Sequence, residues 1–319
     1  MSEEREKWIS VAGAVLIPGL VVLILTALSV NVLRDYGYVL FVLVPVGTGM
    51  LSSTIYGFFR LRTWGQSLKI SLLTLSVSCL LLLVFAIEGI VCIIMASPML
   101  VFFQLLGTII GHSIQKTRKK RHVMNVFMFN VLVLPLLMQA EGTSISREGE
   151  MIKVSTTIEI EAPIQEVWSQ VIAFPEIPVP SDWFFRTGIA YPISSRMVGE
   201  KEDAVRYCEF TTGAFVEPIT TWEEPHLLQF LVEEMPVPFA QMMSAEVPGN
   251  MYQYFVSSKG EFRLSQLENG NTQLVGSTWY YHKIKPIEYW KVWSDFIIHK
   301  IHYRVLNHIK FVSEQDSSS

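Results

Sequence analysis

The chain has 319 residues, half of them apolar and 17% charged, a bias that excludes an ordinary soluble domain and leaves room for two units. Its formal charge of −4 hides an uneven split: residues 1–140 hold eleven Lys and Arg against five Asp and Glu, a balance of +6, so the remainder carries −10. An acidic C-terminal half argues against a nucleic-acid partner, and Cys79, Cys92 and Cys208 make neither a disulfide framework nor a metal-ligand spacing.

Four runs, 8–33, 36–59, 68–87 and 90–114, are apolar over the roughly 20 residues that a helix needs to cross a hydrocarbon core. A fifth, 123–138, is shorter and contains Asn125, Asn130 and Pro135. The first run is too long for a signal-peptide core and turns back at once through Arg34-Asp35-Tyr36-Gly37, so it is expected to be retained as a span. Basic residues cluster at Arg5 and Lys7, at Arg60, Arg62 and Lys69, and in the TRKKRH run before the fifth segment. These clusters alternate with the spans, and the positive-inside rule places all three in the cytoplasm. The expectation is a transmembrane bundle of four to five helices over 1–140, multi-pass in the inner or plasma membrane, with a cytoplasmic N-terminus. If 123–138 crosses, the C-terminal domain lies on the extracytoplasmic, periplasmic side. TRKKRH alone could be a nucleic-acid patch; between two spans it reads as a topology anchor.

Glu88 is the one acid within the long apolar stretch, and an ionisable residue at membrane depth is a functional candidate. The alternative is a helical hairpin turning at Glu88-Gly89. That turn is favoured, because one at Ser97-Pro98 would leave a fourth span of only about sixteen residues.

Residues 141–150 are polar and read as a linker. KVSTTIEIEAP then alternates with period two, as a strand does. Pro163 opens a short helix with Ile164, Val167, Trp168 and Val171 on one face. Strands are predicted at 188–198, 205–211, 214–222 and 227–234, separated by turn signals. A Met- and Pro-rich stretch, 235–254, has no clear period. A hairpin over 260–267 and 272–283 follows, turning at Asn269-Gly270. Residues 287–312 form one long amphipathic helix and 313–319 a disordered tail. Antiparallel strands between a short and a long helix make an α+β domain over 151–312.

The segments VSTTIEIEAPIQEVWSQVIAFPEIP, FVEPITTWEEPHLLQFLV and GEFRLSQLENGNTQLVGSTWYYHKIKPIEYWKVW resemble the START-like, or SRPBCC, superfamily, which includes polyketide cyclases. The whole chain is similar to bacterial SRPBCC proteins with N-terminal membrane spans. The resemblance implies a helix-grip fold: a curved antiparallel sheet around the C-terminal helix, with an apolar cavity between them.

In such a cavity aromatic and apolar side chains bind the ligand and a few polar groups orient it. The ligand-binding candidates are Trp222, Phe230, Trp279 and Tyr281 on strands, with Trp293 and Ile297 on the last helix; ordinary core packing is the competing role of each. Phe239, Met242 and Met243 are candidates for the cavity mouth. His299 and His302 are three apart, a spacing that could hold a metal, but no further ligands accompany them and a solvated helix face is the expectation. His226 and His282 read as structural. Glu209 and Glu217 are mid-strand, where an inward carboxylate could act as acid or base. No catalytic residue, metal or cofactor is assigned, because the sequence has no phosphate loop, nucleophile elbow or HExxH.

Three functions are compatible with this pattern. The leading one is membrane-tethered binding or transfer of a lipid or other hydrophobic molecule, without catalysis. The others are a cyclase- or hydratase-like enzyme on a hydrophobic substrate, and an assembly subunit that docks on a membrane-protein partner.

Overall fold

The structure is a computed structural model that describes residues 3–117, 120–144, 151–236 and 255–316. The chain divides into two compact units, the first Met1–Arg147 with Ile284–Pro286, the second Glu148–Lys283 with Ile287–Ser319.

The first unit is helical. Helix α1 (Glu3–Ala27) runs on through a π-helical stretch, Leu28–Leu33; a second, Val39–Leu43, leads into α2 (Val44–Tyr56). Then come α3 (Trp64–Val84), α4 (Ile90–Gln115), α5 (Lys120–Met128), a third π stretch at Phe129–Val133, and α6 (Leu134–Ser144). Among the described residues five continuous helices are long and apolar enough to cross a membrane: Glu4–Leu33, Val39–Tyr56, Trp64–Val84, Ile90–Gln115 and Arg121–Thr143. The fifth is longer than the 123–138 read from sequence. The π stretch just before Pro135 widens the backbone ring where a proline cannot donate, which lets the helix continue. Asn130 is fully buried, and its amide donates to the carbonyls of Gly47 and Val126.

Helix α2 is the packed centre. A Cβ on Gly107 or Gly111 of α4 would overlap the carbonyl of Val46 or Met50, and one on Gly49 would overlap that of Gln104, so glycine is what allows α2 and α4 to approach. A buried polar seam joins the helices: Gln104 and Thr108 bond to Ser71, Ser52 to Thr74, and Gln115 to Ser53 and Ser67. Residues 141–144, expected to begin the linker, complete α6 instead. Glu141 accepts from the backbone N–H groups of Tyr38 (2.6 Å) and Val39 (2.9 Å), where the second apolar helix begins. A carboxylate is favoured there because a helix start carries free N–H groups and a partial positive charge.

The second unit opens with β1 (Ile152–Ile160) and α7 (Ile164–Ile172), whose Ile164, Val167, Trp168 and Val171 are all buried. A 3-10 turn, Trp183–Thr187, and strands β2 (Pro192–Val198), β3 (Val205–Phe210), β4 (Gly213–Glu223) and β5 (Leu227–Leu231) follow. Strands β6 (Phe255–Gln266) and β7 (Thr272–His282) form the hairpin that turns at Gly270, whose φ is 87°. Helix α8 spans Ile287–Asp316; it passes the expected end at 312 because Ser313 is itself buried.

All neighbouring strands are antiparallel in the order β1-β7-β6-β5-β4-β3-β2. Consecutive β1 and β2 thus lie at opposite edges, bridged by α7. Seven strands laid flat would be about 29 Å across, whereas a helix is about 10 Å wide, yet α8 touches both β1 and β2. The sheet must therefore curve round the helix, helped by bulges in β2, β4 and β6. This is the helix-grip arrangement.

Replacing Gly107 with leucine should destabilise the full chain by about 1–3 kcal/mol or more, the usual cost of overpacking, whereas Gly65→Ala, with nothing near its added methyl, should not. Thermal unfolding of the purified full chain distinguishes them; equal midpoints would show that the α2–α4 contact is dispensable.

Candidate functional site

Strand alternation decides which side chains enter the grip. Tyr280 packs against Val154 and Ile298 of α8, so even-numbered positions of β7 face inward. Trp279 is accordingly on the outer face, between the ammonium groups of Lys153 (4.4 Å) and Lys259 (4.2 Å). Tyr281 shares that parity, and the expectation that these two line the cavity is corrected by register. Phe230 and Trp222 do face inward. Phe230 is buried in the core over Gly260, where a Cβ would overlap its ring, and Trp222 meets Trp168 of α7 edge-on at 5.6 Å. Trp293 and Ile297 are half-buried on α8. Phe239, Met242 and Met243 lie outside the described residues.

The apolar interior contains an ion pair that sequence reasoning did not single out as a pair. Arg206 on β3 and Glu217 on β4 are direct cross-strand partners, 2% and 6% exposed, and the guanidinium Nη1 donates to Glu217 Oε2. Three aromatic rings surround the guanidinium carbon: Phe262 at 5.3 Å, Phe230 at 5.5 Å and Phe174 at 5.6 Å. Burial raises the Glu217 carboxyl, and the Arg206 charge opposes that rise. Cys208 lies on the same face two residues along, where burial and the Glu217 charge push its thiol up to about 12, far from a reactive thiolate. The signal was present in the sequence: Arg206 is in phase with Ala204 and Cys208, a charge at an inward position. Glu209, by contrast, is half-buried and pairs with the exposed Arg196.

A second polar group sits beneath α8. Thr156 Oγ1 lies 2.7 Å from His299 Nδ1 and 3.0 Å from His302 Nδ1, and Thr278 Oγ1 lies 2.8 Å from His302 Nε2. The pair is therefore no solvated face: it ties the helix to β1 and β7. Burial, with a smaller effect of His299, depresses His302 to about 4, so it is a neutral ring with both nitrogens engaged. Nearby, Tyr280 donates to Asp295 Oδ1 at 2.6 Å, and Lys291 pairs with the same carboxylate. Among the described residues no group of three His, Cys, Asp or Glu side chains is placed to hold a metal ion.

His226 is held in the turn before β5, its N–H donating to the Glu223 carbonyl, and His282 is buried beside Tyr280. In the first unit, Glu88 lies in the turn between α3 and α4, and Pro98 is inside α4. Burial raises the Glu88 carboxyl well above its ordinary value, opposed by a hydrogen bond from Tyr36.

No family model and no curated protein matches the chain. Among solved structures it is similar to a protein from Nitrosospira multiformis (18% identity, 53% of this chain and 100% of that one, TM-score 0.33). It is likewise similar to norcoclaurine synthase from Thalictrum flavum (10%, 52% and 94%, TM-score 0.34) and to Zhui aromatase/cyclase from Streptomyces sp. R1128 (14%, 52% and 95%, TM-score 0.34).

Arg206→Met strands a buried carboxylate and should cost about 3–5 kcal/mol. The double variant Arg206→Met/Glu217→Met should recover most of that loss; a double variant no more stable than the single one would contradict the account. For His302, a folded pKa below the unfolded value of about 6.5 means that the unfolded chain binds the extra proton first. Stability is thus complete above about 6.5 and lost as pH falls towards about 4, by at most about 3 kcal/mol. Denaturation midpoints between those pH values should show a shallower slope in His302→Gln than in the unaltered chain.

Proposed function

We propose that this protein spans a membrane with its first unit and uses the second to bind an apolar small molecule within the grip of the sheet on α8. The observation that carries this reading is the phenylalanine-ringed Arg206–Glu217 pair on the inner face. Such a pair stabilises a fold little compared with apolar residues of equal volume, but it provides directed polar groups in an otherwise hydrophobic interior, as ligand sites do. Five apolar helices keep the unit beside a pool of apolar molecules, which raises their effective concentration.

With five crossings and the three basic clusters on one side, the N-terminus is cytoplasmic and the second unit lies across the membrane from it. A second reading, catalysis on the bound molecule, draws on the Tyr280–Asp295 pair. Burial and the Asp295 hydrogen bond raise that phenol, so it stays protonated, with its one hydrogen given to Asp295, and does not serve as a base.

Gentle purification followed by mass spectrometry should recover an apolar molecule with the chain, at reduced occupancy in Phe230→Ala; ligand-free protein from native membranes would remove the binding reading. A reporter fused after Gly142 should be active only when it matures outside the cytoplasm. Activity of a cytoplasm-only reporter at that position would reverse the topology.

A further inference from the structure

The outer face of the sheet, turned away from α8, carries a row of side chains with no part in the grip. Lys153 on β1, Trp279 on β7, Lys259 on β6 and Leu231 on β5 are successive cross-strand partners. At the usual strand spacing the row is about 14 Å wide. The indole sits between the two ammonium groups, 4.4 Å from Lys153 Nζ and 4.2 Å from Lys259 Nζ. Lys153 and Leu231 are exposed, and Lys259 and Trp279 are half-buried. Beside the row Glu261 is buried; it accepts from Gln229 Nε2 (2.8 Å) and lies 3.6 Å from both Lys153 Nζ and Arg263 Nη2. Lys259 has no carboxylate partner among the described residues.

Three cations, Lys153, Lys259 and Arg263, thus stand against one buried carboxylate, in a part of the chain whose balance is −10. An acidic unit meets an anionic surface favourably only through a cationic side, and that side fixes its orientation. The row also has the composition of a membrane–water boundary. Tryptophan settles at the level of the headgroups, and lysines lay their apolar stems along such a surface while their ammonium groups reach the charged layer. Tyr281, two residues beyond Trp279 on the same face, extends the aromatic part. Chain length keeps a bilayer within reach: Lys153 follows Ser144, the end of α6, by nine residues, at most roughly 30 Å of extended chain.

We propose that the Lys153–Trp279–Lys259 row docks the second unit on the anionic phospholipid headgroups of the bilayer that the first unit crosses, each ammonium on a lipid phosphate and the indole at the headgroup boundary. This rests on the membrane-spanning reading above and names the face that meets the lipid. Glu261 then acts by holding Lys153 and Arg263 beside the row.

The test uses the full chain in nanodiscs of phosphatidylcholine alone and of phosphatidylcholine with an equal part of phosphatidylglycerol. Acetylation of each lysine by an uncharged ester is read by mass spectrometry. Relative to the exposed Lys201, Lys153 and Lys259 should react about fivefold more slowly in the anionic discs, the factor expected for one lysine held at an anionic surface. High salt should remove the protection. Trp279→Ala, which keeps both charges, should weaken it at both lysines, and Lys259→Gln should weaken it at Lys153; protection unchanged in both variants would overturn the row as the docking element. Equal rates in the two kinds of disc overturn the proposal, and so does the same protection in detergent, which would assign this face to a protein contact. Protection brought about in phosphatidylcholine discs by inorganic phosphate would make the row a site for a free anion and also overturn it. Alkaline carbonate extraction separates this outcome from the reading beneath it. A chain released from membranes overturns the spanning reading, whereas a retained chain with equal rates overturns the docking row alone.

Discussion

One helix touching both edges of a seven-stranded sheet imposes most of what is distinctive about the second unit. The contact is possible only if the sheet curves, and curvature turns one face of every strand towards α8. Side chains on that face are enclosed whatever their chemistry. Apolar residues there, such as Ile219, Leu228 and Leu274, gain from burial. Polar ones must find partners or be destabilising, and this requirement explains the Arg206–Glu217 pair and the threonine-held histidines. The inner face is thus apolar apart from partnered polar groups such as these, and its chemistry follows from where they sit.

The first unit answers a related constraint. Helices that pack closely in an apolar setting use small residues for approach and hydroxyl or amide side chains for adhesion. Gly49, Gly107 and Gly111 supply the approach; Ser71, Thr74, Gln104, Thr108 and Gln115 supply the adhesion. These polar side chains are interior, while the exposed positions include Leu16, Leu20, Ile24, Leu80 and Phe102.

Architecture was legible where pattern and element share a period. Alternation in β1, the apolar face of α7, the Asn269-Gly270 turn and the periodicity of α8 each located an element. Bounds were less legible where tertiary partners decide them: Pro135 and Asn130 suggested a weak fifth helix, yet a π stretch and the Gly47 carbonyl accommodate them. The site was least legible. Aromatic character singled out Trp279 and Tyr281, but the face of a strand residue depends on register, which composition does not contain. His299 and His302 looked like a solvated pair because their partners, Thr156 and Thr278, are more than twenty residues away. Arg206 could have been noticed from its phase, and Phe174 could not, because it follows a helix and has no strand period to betray its direction.

The carboxylate of Glu141 also bears on the order of assembly. It completes the hydrogen bonding of Tyr38 and Val39, which precede it by 103 and 102 residues. In synthesis the start of the second helix precedes this cap by about a hundred residues, so these two N–H groups gain their carboxylate partner only once the fifth apolar helix is made. The fifth apolar helix is therefore a clasp on the second: a chain cut short before Glu141 would lack the carboxylate that accepts from both N–H groups.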